Sequence, residues 1–149
     1  MEMSPGAGPR LPQALLDFAG TWKFSRKIHD RLSHQVISVD GTARLEPDAE
    51  GLGYSEESVM HLADHAPMHG TRRYLWRHDG AEVAVYFADG APFHRFALGQ
   101  ATPEAAHWCD PDSYAVTYDF ADWPVWRTTW TVTGPRKDYL METLLARAG

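Results

Sequence analysis

Beyond Gly20 the hydrophobic positions recur every second residue. Trp22, Phe24 and Ile28 alternate with Thr21, Lys23, Ser25 and Lys27, and Arg26 takes a place on the aromatic face. A period of two belongs to strands, whose side chains point to opposite faces in turn. Further extended runs follow at 35–45, 53–62, 70–78, 82–88, 92–98, 105–110, 114–120, 126–133 and 137–145. His78-Asp79-Gly80 and Ala88-Asp89-Gly90 read as tight hairpin turns, because Asp-Gly tolerates the positive φ such turns require. One segment breaks the pattern. Pro12 to Ala19, with a proline start and Leu15, Leu16 and Phe18, predicts one or two helical turns that end at Gly20 and act as a plug or lid.

About ten strands with short connections and almost no helix predict an all-β fold, an up-and-down antiparallel barrel or strongly curved sheet. A two-sheet sandwich is the competing architecture. No long crossover segment exists, which excludes parallel α/β folds. Neither repeats nor a linker interrupts the series, so residues 12–149 read as a single domain behind a loose tail, 1–11. Barrels of this size can enclose a small ligand. A fully packed interior would carry aliphatics on its inward faces, yet this chain places Arg, His, Tyr and Trp there. Buried polar groups are costly unless satisfied, so several on one wall imply a ligand, water or a mutual network.

Composition narrows the classes. A formal charge of −6 with no Lys/Arg stripe argues against nucleic acid. Arg72, Arg73 and Arg77 are the densest basic group, and they read as a solvated face. A lone cysteine cannot close an internal disulfide, which favours a reducing compartment. The start lacks a secretory pattern and no apolar run is long enough to span a bilayer. The expectation is a cytoplasmic protein with no membrane partner. A homodimer through an exposed edge strand is compatible with the pattern.

Most side chains able to do chemistry fall between Phe87 and Tyr118. On strands, His94, His107 and Cys109 would face the same space as the aromatic residues. A histidine pair suits general acid–base work, with an aspartate such as Asp110 orienting it and Tyr114 or Tyr118 donating to a carbonyl. Two His and a Cys also have the composition of a zinc or copper set, although His107-x-Cys109 is not an established ligand motif. The bland alternative is that the histidines satisfy one another or the backbone, with Cys109 as a small buried apolar group. His61, His65 and His69 lie in a connection that Pro67 keeps from being helical, and read as a loop or portal flap.

Arg26, Arg73 and Tyr74, with Glu56 on a neighbouring run, form a further set. An inward arginine can pair bidentately with a ligand carboxylate, or Arg26 can pack across Trp22 and seal the barrel end. Trp126 and Trp130 share a strand face and, with Tyr118, Trp123 and Tyr139, can make a wall for a planar ligand or simply fill a core. Lys137 in the Gly134-Pro135 turn is expected in solvent. Phosphate loops, dinucleotide fingerprints, H-E-x-x-H, C-x-x-C and G-x-S-x-G are absent, and no cofactor is expected.

Gly20-Thr21-Trp22 after a short helix resembles the opening of the calycin superfamily, the lipocalin and fatty-acid-binding barrels, where the tryptophan closes one end. GTWKFSRKI (20–28), RRYLW (72–76), FADGAPFH (87–94), HWCDPDSYAVTYDF (107–120) and WRTTWTVTGPRKDY (126–139) resemble an uncharacterised microbial family, a domain of unknown function. Its H-x-C-x-P-D-x-Y and G-P-x-K-x-Y elements are distinctive, and Ala91 stands where that pattern usually has arginine. The resemblance implies a calycin-like barrel and no established activity. Haem-binding nitrobindin-like relatives carry a glycine-rich start and a late histidine, and this chain has neither.

The reading is a calycin-like barrel that binds a small, partly apolar, aromatic or polyene-like molecule. Acid–base isomerisation, cyclisation or dehydration would use His94, His107, Tyr114 and Tyr118. Arg26, Arg73, Tyr74, Trp126, Trp130, Cys109 and Tyr139 would contact the ligand. A non-catalytic carrier and a metal-dependent protein using His94, His107 and Cys109 are the alternatives.

Overall fold

The computed structural model describes residues 10–149, so the tail expected over 1–11 lies almost wholly outside the described residues. A 3₁₀ turn (Leu15–Phe18) precedes β1 (Gly20–Asp30), β2 (Gln35–Pro47), β3 (Gly51–His61), β4 (Met68–Asp79) and β5 (Glu82–Phe87). β6 (Pro92–Ala97), β7 (Glu104–Cys109), β8 (Asp112–Asp119), β9 (Trp126–Gly134) and β10 (Lys137–Arg147) complete the chain. The predicted runs and turns reappear within a few residues of these bounds. No helix among the described residues is long and apolar enough to cross a membrane.

All ten strands form one antiparallel sheet in the order β6-β5-β4-β3-β2-β1-β10-β9-β8-β7. Each strand pairs with its neighbour in sequence, except that β6 and β7 are not hydrogen-bonded to each other. β1 bridges the two halves by pairing with β10 as well as β2, Trp22 opposite Arg147 on one side and Ala43 on the other. The sheet therefore curls into a nearly closed up-and-down barrel with one seam, and the sandwich alternative falls away. Gly80 (φ 60°) and Gly90 (φ 90°) occupy the hairpin turns at conformations an L side chain rarely adopts. At Gly41 a Cβ would collide with the Phe24 ring and the Glu57 carbonyl, so glycine lets Phe24 lie against β2.

One end of the barrel is packed solid. Phe18, fully buried, drives from the 3₁₀ turn into the rings of Trp76, Phe96, Phe120, Trp123 and Trp126, at centroid distances of 5.0–6.0 Å. The Trp22 indole N–H donates to the Phe18 carbonyl at 2.9 Å. The plug expected of this segment is thus a plug. The arginine that seals it is Arg147, not Arg26. Its guanidinium lies 4.0 Å over Trp22 and donates to the Ala19 and Asp17 carbonyls at 2.6 and 2.7 Å. Arg26 sits two residues past Phe24, one level further into the barrel, too far along β1 to cover Trp22.

The other end is built differently. β4 pairs with β3 from Met68 onward, but its pairing with β5 begins only at Tyr74, opposite Phe87. β1 to β4 consequently rise above the shorter β5 to β7 and leave that end open.

Candidate functional site

Between the packed floor and the open end lies a cavity of about 330 Å³. Strand alternation determines which residues line it. On β4, Arg72, Tyr74 and Trp76 face inward; on β7, His107 and Cys109; on β8, Tyr114 and Tyr118; on β9, Trp126, Thr128, Trp130 and Val132. A register irregularity between Val85 and Tyr86 interrupts the β5–β6 ladder, and both Phe93 and His94, adjacent in sequence, line the interior.

Aromatic rings supply most of the wall. Phe93 stacks on Trp130 at 5.1 Å with planes 12° apart, on Tyr74 at 5.7 Å and on Phe87 at 4.4 Å. Its ring also meets the edges of His94 (4.6 Å) and His107 (5.3 Å). The two imidazoles share the cavity, as the strand pattern predicts, but no hydrogen bond joins them and Phe93 touches both.

His94 belongs to a different pair. Its Nε2 shares a 2.7 Å hydrogen bond with the Tyr118 hydroxyl, and both side chains are buried. Burial, aided by nearby His107, lowers the His94 pKa to about 3, so the imidazole is neutral at physiological pH. Burial likewise raises the Tyr118 pKa and keeps its hydroxyl protonated. Neither His94 Nδ1 nor Trp126 Nε1 has a partner, though both nitrogens are sealed from solvent.

The second polar cluster crosses β1, β3 and β10. Arg26 forks onto Glu56 through Nη1 and Nη2 at 3.1 and 2.8 Å, and its Nε donates to Thr143 Oγ1 at 2.8 Å. The Tyr54 hydroxyl donates to the same carboxylate. Burial alone would raise the Glu56 pKa; the hydrogen bonds and charge of Arg26 outweigh it, and the net shift is downward. Arg26 therefore reaches the cavity already neutralised.

Arg72, exposed at the open end and expected only as part of a solvated face, is the cation that β4 turns toward the cavity. Arg73, expected as a ligand contact beside Tyr74, is exposed and does not line the cavity. Adjacent residues on a strand face opposite sides, so an inward Tyr74 requires an inward Arg72 and an outward Arg73. Nor is the whole basic group a solvated face: Arg77 is half-buried and pairs with Asp48 at 2.9 Å. Arg72 lies cross-strand from Glu56, with Tyr74 and Tyr139 close enough to influence its charge. It forms no ion pair among the described residues.

Tyr139, Tyr114 and Trp130 line the cavity as expected, and Trp126 forms part of its floor. Cys109 corrects the expectation of a buried thiol: it is exposed where β7 ends at the open rim. Lys137 is not free in solvent but donates to the Tyr114 hydroxyl at 3.0 Å and pairs with Asp112 at 3.1 Å. His94, His107 and Cys109 do not converge, and no group of three or more His, Cys, Asp or Glu side chains among the described residues could hold a metal ion. His69 belongs to β4, while His61 ends β3 with its ring 3.4 Å from Asp40.

Comparison with known proteins agrees with this architecture. The profile of the Family of unknown function (DUF6314) matches residues 18–147, and the chain belongs to that family. No curated protein matches it. Among solved structures, the S-type phycobiliprotein lyase CPES from Guillardia theta is similar in fold. Its TM-score is 0.61 over 91% of this chain and 90% of that one, at 12% sequence identity. The barrel is thus calycin-like, and the likeness extends to the fold alone.

Proposed function

Starting from membership of a family that brings no activity, we propose that the barrel binds a small, planar, largely apolar molecule in the cavity above the aromatic floor. The observation that carries this reading is the contrast between its two halves. Rings pack solidly around Phe18, whereas Tyr74, Phe93 and Trp130, stacked on one another, also line the cavity. Flat aromatic walls with a few polar groups are what a planar ligand requires. A likeness in fold to a phycobiliprotein lyase supports the barrel on which this rests and adds no substrate.

Acid–base turnover is a second reading, favoured by the buried His94–Tyr118 pair. Its form is narrow. A histidine with a pKa near 3 is a weak base, so the pair would act as neutral hydrogen-bonding groups toward a ligand carbonyl rather than as an ionised acid and base.

Two measurements test binding. Native mass spectrometry of untreated protein should show a co-purifying small molecule, unaltered if the protein is a carrier. N-phenyl-1-naphthylamine, a neutral planar fluorophore, should brighten on binding with a stoichiometry of one, and Phe93→Ala with Trp130→Ala should weaken it at least about tenfold. A bare protein that also fails to bind this probe would refute a ligand-binding cavity.

A further inference from the structure

Resting on that reading, we propose that the natural ligand is a planar monocarboxylate whose anionic group is held by Arg72 near the open end, with its apolar body directed toward the floor. Three observations lead there. The lining holds two arginines and one carboxylate, apart from the imidazoles. Arg26 spends both terminal nitrogens on Glu56 and its Nε on Thr143, which leaves it no free fork. Arg72 faces the same space with no ion-pair partner among the described residues, so the wall carries one uncompensated positive charge.

Arg72 is solvent-exposed at the open end while its side chain also lines the cavity, so a ligand meets its guanidinium at the mouth beside aromatic rings, and its planar fork matches a carboxylate. The same wall disfavours a dianion such as a phosphate monoester. Glu56 is the cross-strand neighbour of Arg72, so a second negative charge would meet repulsion instead of a second cation. Tyr74 and Tyr139, whose side chains lie beside Arg72, offer hydroxyl donors to the same oxygens.

Geometry also orients the ligand. Along β4, Trp76 belongs to the floor cluster and stacks on Tyr54, Tyr74 stands at mid-wall, and Arg72 follows toward the open end. Each two-residue step is roughly 6.7 Å. A carboxylate on Arg72 therefore places a planar body against Tyr74, Phe93 and Trp130, and its far end near Tyr118 and Trp126.

The test uses 2-naphthoate and its neutral isostere 2-naphthamide as competitors of bound N-phenyl-1-naphthylamine. In the unmodified protein the acid should compete about threefold to tenfold better than the amide, the range expected for a charge-assisted hydrogen bond that solvent at the open end partly screens. Arg72→Met should erase that preference while N-phenyl-1-naphthylamine still binds. Arg73→Met, altering the outward neighbour, should leave the preference intact. Equal competition by acid and amide, or a preference that survives Arg72→Met, overturns the proposal. Failure of the neutral fluorophore to bind, in protein that also carries no co-purified small molecule, overturns instead the binding reading beneath it. Retained near-ultraviolet circular dichroism in each variant separates lost recognition from lost fold.

Discussion

Removing Glu56 should destabilise the barrel more than removing any surface charge, and the pairing around it gives the size. The side chain is 4% exposed and accepts from both Arg26 terminal nitrogens and from the Tyr54 hydroxyl. Glu56→Ala leaves a guanidinium that is 8% exposed without its counter-charge and a buried phenol without its acceptor. Breaking one side of a buried pair costs about 3–5 kcal/mol, because the remaining charge cannot be rehydrated. For a chain of this length that corresponds to a fall in Tm of roughly 10–15 °C. Arg26→Met should cost a similar amount. The double variant Arg26→Met/Glu56→Ala, which removes both charges, should lose far less than the two single losses added together. Urea unfolding of the four proteins closes the cycle. The pH dependence follows the same logic: the folded-state pKa of Glu56 is below its ordinary value of 4.5, so its contribution is complete above that pH and disappears as pH falls through the folded-state value. The advantage of the unmodified protein over Glu56→Gln should therefore shrink below about pH 4.5. Additive losses in the double variant, or a Glu56→Ala cost under about 1 kcal/mol, would refute the view that this is a coupled buried pair.

Three further outcomes are expected. Arg147→Met removes a cation over Trp22 and two hydrogen bonds to the plug, and should cost about 1–2 kcal/mol with faster amide exchange through residues 17–22; unchanged exchange there would deny Arg147 its sealing role. His94 has a folded-state pKa of about 3 against an ordinary 6.5, so the unfolded chain takes up the proton first and stability falls as pH drops through that interval. Denaturation at several pH values should show His94→Gln losing about 1.4 kcal/mol less per pH unit than the unmodified protein across that window, and parallel curves would contradict a buried neutral imidazole. Cys109, exposed at the rim and lining the cavity, should react with a thiol reagent in the native state, and saturating N-phenyl-1-naphthylamine should slow the reaction; equal rates would place the fluorophore elsewhere.

Much of the fold was legible because a period of two survives in every strand and Asp-Gly marks the turns. Trp22, Phe24 and Arg26 identify the inner face of β1, and the same parity places His107 with Cys109 and Trp126 with Trp130. Two features escaped that kind of reading. The seam between β6 and β7 depends on which edges fail to hydrogen-bond, and no residue of Pro92–Ala97 or Glu104–Cys109 announces it. The inward turn of both Phe93 and His94 depends on an irregular register opposite Val85, where alternation on its own allows only one of the two.

All but one of the misassigned arginines at the candidate site share one physical cause. Arg26, Arg72, Arg73 and Arg147 are chemically identical, and which of them can meet a ligand depends on what other strands place beside each. The register from β1 through β2 to β3 aligns Arg26 with Val39 and Met60. It is the long Arg26 side chain, reaching across the tilted strands, that meets Glu56 and is silenced by it. Pairing of β1 with β10 sets Arg147 opposite Trp22 and assigns it to the seal. Arg73 could have been excluded from local sequence, because it cannot share a strand face with Tyr74. Arg72 is then left over, inward and uncompensated, so the positive charge of the cavity is a property of the closed wall as a whole. A substitution far from the ligand but within that balance, such as Glu56→Gln, should accordingly tighten binding of 2-naphthoate relative to 2-naphthamide even while it weakens the fold.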